Sequence, residues 1–160
     1  AFDFSDSDIQ AQKQKDQTQL YTTGDLGEVF RKPVNDTYYW ELYVAPSGNK
    51  TSFFFPGRGE LGLPDMDKEL MPGLLAAAQV QGTMNNWHDV DTGWTGEMAV
   101  PIAQLEKYGA KFDPETPWTV FFGRYNYSRY LPYSENSSFP TPPALDYHLL
   151  EYYAPIQLVK

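Results

Sequence analysis

The chain contains no cysteine, which removes disulfides, thiolate catalysis and cysteine-ligated zinc together. It has only two histidines, His88 and His148, and no His-Glu-x-x-His spacing, so nothing favours a histidine metal site. Basic residues are scarce: 12 Lys and Arg stand against 21 Asp and Glu, for a net charge of −9. Phosphate recognition draws on clustered Lys and Arg, and no basic run occurs here. Nucleic acid and anionic membrane surfaces are therefore not expected partners. No apolar run approaches the roughly 20 residues needed to span a bilayer. No signal peptide is recognisable, and Ala1 is read as the start of a mature or trimmed form.

Aromatic residues are plentiful instead, with 12 Tyr, 10 Phe and 4 Trp making up 16% of the chain. Tyr and Trp join a flat apolar face to a polar edge, which suits surfaces that grip a ligand. Strand-rich proteins favour aromatics for packing as well, and composition leaves both readings open. The 160 residues suffice for one domain, 1–160, with a proper core.

Strand signals recur along the chain. Ala1 to Phe4 reads as a strand already under way, and Leu26 to Phe30 as a short one stopped by Pro33. In Tyr38 to Val44, Tyr38, Trp40, Leu42 and Val44 share one face, with Tyr39, Glu41 and Tyr43 on the other. Pro46-Ser47-Gly48-Asn49 is a turn by residue type, returning through Thr51 to Phe55 as a hairpin. Gly57 to Pro72 reads as loop, and Leu74 to Gln81 as either strand or helical turn. Trp94 to Val100 alternates; Pro101 and Gly109 then bracket a short helix over Ile102 to Tyr108. Trp118 to Arg124 and Tyr152 to Val159 are further strands, separated by a long aromatic, proline-rich loop, Tyr125 to Tyr147. The expected fold is all-β: an antiparallel β-sandwich of jelly-roll or immunoglobulin-like type, with long loops and one short helix.

Four segments, taken in order, resemble the family 9 carbohydrate-binding modules. Gly24-Asp25-Leu26-Gly27-Glu28-Val29-Phe30 resembles the family's Asp-x-x-Glu-x-Phe strand. Tyr39 to Gly48 is similar to its Tyr-x-Glu-x-x-x-x-Pro-x-Gly hairpin, and Gly93 to Pro101 to its Gly-Trp-x-x-Glu-x-x-Ile-Pro signature. Trp118 to Arg124, Ser137 to Pro140 and Tyr147-His148 follow where the family shows Trp…Arg, Ser-x-Trp and an aromatic-His pair. The family's further N-terminal strands would precede Ala1.

The resemblance implies non-catalytic binding of plant or algal polysaccharide ends, of the xylan or cellulose type, through an aromatic clamp. Tyr21 and Tyr147 fall nearest the two clamping rings, and Glu28, Glu41, Tyr43 and Arg124 nearest the hydroxyl-binding positions. Tyr43 stands where a cationic group is usual, and Ala45 where a polar one is, which sets the usual reducing-end specificity in question. It further implies a bacterial secreted, periplasmic or cell-surface setting, and fusion to or association with a carbohydrate-active enzyme. Structural calcium occurs among relatives, and Asp89-Val90-Asp91-Thr92-Gly93 begins like a calcium loop without the later ligands of an EF-hand. Asp89 and Asp91 are thus candidate calcium ligands, with Asp3, Asp6 and Asp8 as a second acidic cluster.

Each residue has a plainer role open to it. Arg124 shares a face with Trp118 and Phe122, and a salt bridge to Glu28 or Glu41 would explain it as well as sugar binding does. Trp40, Trp94 and Trp118 suit a core better than a platform. Tyr125, Tyr127, Tyr130 and Tyr133 form a wider candidate platform or an end plug. Three competing functions remain: a glycoside hydrolase drawing on Glu28, Glu41 or Glu97, a haem-binding electron-transfer sandwich using Met84 and His88, and a purely structural sandwich packed against a larger partner. Four Asn-x-Ser/Thr sequons, at Asn35, Asn49, Asn126 and Asn136, matter only in a glycosylating host.

Overall fold

The computed structural model describes residues 1–58 and 69–158. Among these residues nine strands form two antiparallel sheets, making an all-β sandwich with one short helix. The smaller sheet contains β1 (Phe2–Ser5), β5 (Leu75–Gln81) and β6 (Gly93–Ala99) in the order β1-β6-β5. The larger contains β2 (Leu26–Pro33), β3 (Tyr39–Val44), β4 (Lys50–Phe55), β7 (Trp118–Asn126) and β8 (Glu135–Phe139) in the order β4-β3-β2-β7-β8. The short β9 (Ala154–Ile156) pairs with the first part of β7, and β8 with its second part. The helix α1 (Ile102–Leu105) runs on as a 3-10 turn to Tyr108, where Gly109 adopts φ 110° and ends it.

Register assigns the faces of the larger sheet. Val29 stands opposite Leu42 and Phe122, whereas Glu28 stands opposite Tyr43 and Gly123. The face bearing Val29, Trp40, Leu42, Phe54, Trp118 and Val120 packs with Met98, Phe2 and the loop residues Met71 and Leu74. Trp40, Trp94 and Trp118 are all buried, as core rather than platform. Gly27 lets the sheets close: a Cβ there would lie 3.1 Å from the rings of both Phe2 and Phe4.

The opposite face of the same sheet carries Leu26, Phe30, Tyr39, Tyr43, Phe53, Phe55 and Phe121 and is covered without a third sheet. Leu20, Tyr147 and Tyr153, from loops and the C-terminal segment, fold over it. Every residue of β3 is buried for this reason. Its alternation in sequence separates two buried faces, not a buried from a solvated one.

Several segments depart from expectation. Residues 74–81, ambiguous in sequence, become β5 because Leu75 to Gln81 pair residue by residue with β6. The long loop of residues 125–147 contains β8, whose polar run Glu135-Asn136-Ser137-Ser138 carries no apolar period to announce it. Where residues 152–159 suggested one strand, a 3-10 turn at Leu150–Tyr152 precedes the three-residue β9, and residue 159 lies outside the described residues. Part of the loop expected over 57–72 also lies outside them.

Gly27→Val should force the two sheets apart and cost about 1–3 kcal/mol. A urea denaturation series comparing midpoints checks this; an unchanged midpoint would show the close approach is not required.

Candidate functional site

A pocket of about 470 Å³ opens on the loop-covered face of the larger sheet, a size ordinary for small-molecule sites. Glu28 on β2 and Glu41 and Tyr43 on β3 lie within it, and Tyr21, Tyr125 and Tyr147 line it from the adjoining loop, β7 and the C-terminal segment. Tyr43 and Gly123 flank Glu28 directly across the ladders, and Phe30 stands opposite Glu41. The two carboxyls are thus diagonal neighbours on one sheet face. Alternation along β2 and β3 put them there.

Both carboxyl groups are buried and hydrogen-bonded to each other. Two carboxylates in contact, away from water, cannot both ionise. Glu28 is held well above the usual carboxylate range, first by burial and then by the charge of Glu41 beside it. Burial pushes Glu41 up to about 7, opposed by hydrogen bonds from Tyr43 and Glu28. The Tyr43 hydroxyl donates to Glu41 Oε1. Glu28 is thus the member held further toward its neutral form, and Glu41 the stronger acceptor of the pocket floor. Glu28 Oε1 has no hydrogen-bond partner among the described residues and lies against Gly123. A Cβ on Gly123 would come within 2.6 Å of that oxygen and 2.7 Å of the Tyr147 ring, so only glycine leaves room for both.

The rings form a connected wall. Tyr125 lies 5.5 Å from Tyr21 at 34° between planes and 5.8 Å from Tyr147 in an edge contact. Tyr147 is only 7% exposed, packs on Phe30 and Phe121, and donates its hydroxyl to the carbonyls of Ser137 and Arg124. It is a wall of the pocket, while Tyr21 and Tyr125 stay partly exposed. Tyr125, expected only as part of a broader loop platform, thus sits in ring contact with both residues of the expected clamp. His148 accepts or donates at 2.7 Å with Tyr39 through Nδ1, and burial lowers its affinity for a proton.

Five of the six residues expected to bind sugar, Tyr21, Glu28, Glu41, Tyr43 and Tyr147, line this pocket. Arg124 does not. Its residue on β7 pairs across from Gly27, which turns the side chain toward the smaller sheet. There it lies over the Phe4 ring and bonds to Asp6 at 3.1 Å, the carbonyl of Ser5 and Asn126, in place of a bridge to Glu28 or Glu41.

No family model matches the sequence, and no curated protein matches it. One solved structure does match: the 2.70 Å crystal structure of a protein described as a "putative carbohydrate-binding protein" from Bacteroides uniformis ATCC 8492. The two agree with a TM-score of 0.70 at 12% identity, over 97% of this chain and 70% of that one. The likeness is one of fold.

The acidic loop residues have structural duties. Asp91 accepts the Ile9 amide at 2.7 Å on one oxygen and the Thr83 amide at 2.7 Å on the other. Asp89 adds one buried oxygen without a hydrogen-bond partner among the described residues, where no group of three or more His, Asp or Glu able to hold a metal occurs. In the second cluster, Asp6 pairs with Arg124 and Asp8 with Arg129. Met84 and His88 sit on an exposed loop with the His88 ring against Trp87, which offers a haem no apolar enclosure.

Two outcomes follow. The folded state holds protons on the Glu28–Glu41 pair more tightly than the unfolded chain does, so this pair favours folding most below pH 4.5. The Glu41 part of this contribution is lost as pH rises through about 7, opposed in part by His148, whose proton affinity burial lowers. Urea midpoints between pH 4.5 and 8 should fall less steeply in Glu41→Gln than in the native chain; parallel curves would refute the pairing. Calcium chelation should leave the thermal midpoint unchanged, whereas Asp91→Ala should cost about 2–3 kcal/mol through two lost charge-assisted bonds. A drop in midpoint on adding chelator would overturn the structural reading of Asp91.

Proposed function

We propose that this chain is a non-catalytic carbohydrate-binding domain that receives a saccharide in the pocket over Glu28 and Glu41. The observation that carries this reading is the pairing of partly exposed ring faces, Tyr21 and Tyr125, with a floor of oriented hydrogen-bonding groups. The C–H face of a pyranose is apolar and stacks on an aromatic ring, while its equatorial hydroxyls need polar partners at the edge. Glu41 accepts, and Gln19 and Asp146 at the pocket wall extend the polar set. The fold shared with the Bacteroides uniformis protein agrees with this reading.

Relative to the clamp expected from sequence, the stacking role moves from Tyr147 toward Tyr125. Kinship with the family 9 modules, a xylan- or cellulose-type glycan, a secreted or cell-surface bacterial setting and partnership with a carbohydrate-active enzyme complete the proposal. Each of these rests on the four sequence segments alone.

The hydrolase alternative meets a geometric objection. Retaining glycosidases hold their carboxyls about 5–5.5 Å apart and inverting ones about 6.5–9.5 Å. The Glu28 and Glu41 side chains interact directly as diagonal neighbours on adjacent strands, leaving no space for a glycosidic bond between them.

A glycan array followed by calorimetry tests the proposal. Tyr125→Ala and Tyr21→Ala should each weaken binding of the best ligand at least about tenfold, since burying such a ring face is worth about 1–3 kcal/mol. Xylan and cellulose incubated with the protein should release no reducing sugar. Blank arrays, or steady release, would defeat it.

A further inference from the structure

The pocket does not end at Tyr147. Beyond that ring lies a second hollow of about 390 Å³, lined by Asn136, Ser138, Thr141, Pro142, Leu145 and Tyr147 among others. Leu145 and Tyr147 line both hollows, so the two share one dividing wall. The Leu145 side chain is 70% exposed at the surface between them.

Sheet register ties the two floors together. Tyr43 pairs with Glu28, Glu28 with Gly123, and Gly123 with Ser138. These four positions form one row across β3, β2, β7 and β8 on a single face. With strands about 4.8 Å apart, Ser138 sits about 10 Å from Glu28, too far for one pyranose to reach both and within reach of two linked rings. Asn136, two residues along β8, shares this face and stands opposite Tyr125. Its Oδ1 is buried and has no hydrogen-bond partner among the described residues. Buried polar atoms are satisfied in most folded proteins, and an acceptor of this kind calls for a donor such as a sugar hydroxyl. The apolar Leu145 and Pro142 supply the surface a second ring needs.

Charge narrows the ligand further. Among the described residues no Lys or Arg lines either hollow, and the first contains Glu28, Glu41 and Asp146. A uronate or sulfated sugar would meet carboxyl groups with no compensating cation.

We propose that the binding site continues over Leu145 into a second saccharide subsite floored by Asn136 and Ser138, so that the ligand is an uncharged oligosaccharide of at least two rings. This rests on the sugar-binding reading above and adds ligand length and charge to it.

Calorimetry with xylo- and cello-oligosaccharides of one to six rings tests the inference, with oligogalacturonates as the anionic comparison. In the native chain the disaccharide should bind at least about tenfold more tightly than the monosaccharide, and oligogalacturonates should not bind. In the Asn136→Ala, Ser138→Ala double variant that gain should shrink to about threefold or less. The ratio between lengths, not the absolute affinity, is the readout, so partial loss of folded protein does not imitate the result. Equal affinity for all lengths, an undiminished gain in the variant, or preference for oligogalacturonates would overturn the second subsite while leaving the first pocket's sugar binding intact. Absence of binding at every length would instead defeat the sugar-binding reading itself, and the subsite with it.

Discussion

A sheet with apolar side chains on both faces has to be covered twice, and the three-stranded sheet covers the larger one only once. The second face, bearing Phe30, Tyr39, Tyr43, Phe53, Phe55 and Phe121, is closed by Leu20, Tyr147 and Tyr153. Loop segments make an incomplete lid compared with a sheet, because their own backbone groups must be satisfied as they cross. Tyr147 anchors the lid by donating its hydroxyl to two strand carbonyls, and the Tyr153 hydroxyl satisfies the carbonyl of Tyr147. The lid is anchored where these bonds fall and open elsewhere. The pocket is the part of the face that the loops leave uncovered.

Within that pocket, burial sets the chemistry. A single carboxylate at the position of Glu28 would bear the full cost of desolvation. Placing a second carboxyl diagonally adjacent lets one proton serve both, and Tyr43 adds a donor to the charged member. The pair remains a weak stabiliser, since replacing such groups with apolar ones of similar size is often neutral or favourable. Its retention on a face otherwise built of aromatics is what separates a pocket with orienting groups from an ordinary core. Gly123 completes the arrangement by leaving space for both Glu28 and the Tyr147 ring.

Much of this was legible in the residues. Alternation in Tyr38 to Val44 put Glu41 and Tyr43 on one face, whereas their meeting with Glu28 was implied only by the family 9 resemblance, since the register of β2 on β3 is not written in either strand. The same alternation should have excluded Arg124, which lies one residue out of phase with Tyr125 and so points to the opposite side of β7. Its guanidinium chemistry suggested a hydroxyl ligand, but strand parity outranks side-chain type in deciding what reaches a site. The role of Tyr125 was hidden because the residue falls at the end of a strand that continues to Asn126, past the apparent boundary at Arg124. β8 was hidden for another reason. As an edge strand between Tyr147 and solvent it needs no apolar period, and its Asn and Ser residues look like loop until pairing with β7 is known.

The acidic composition finds its explanation in the same geometry. Asp6, Asp8, Asp25 and Asp91 are all buried, and three of them accept backbone amides from segments far away in sequence: Asp8 from Arg129, Asp25 from Gln10 and Tyr127, Asp91 from Ile9 and Thr83. A carboxylate has two oxygens and several lone pairs, so one residue can satisfy donors from two loops at once. In a chain without cysteine, these carboxylates do the cross-linking that disulfides or a bound cation would otherwise perform. They fasten the N-terminal segment to the loops around residues 83–91 and 127–129, at the same end of β7 where Tyr125 projects into the pocket. Asp25 joins that network directly to the pocket: it precedes β2, and it holds the amide of Tyr127 two residues beyond Tyr125. The rings that would meet a sugar are therefore positioned by buried acidic side chains that never touch it.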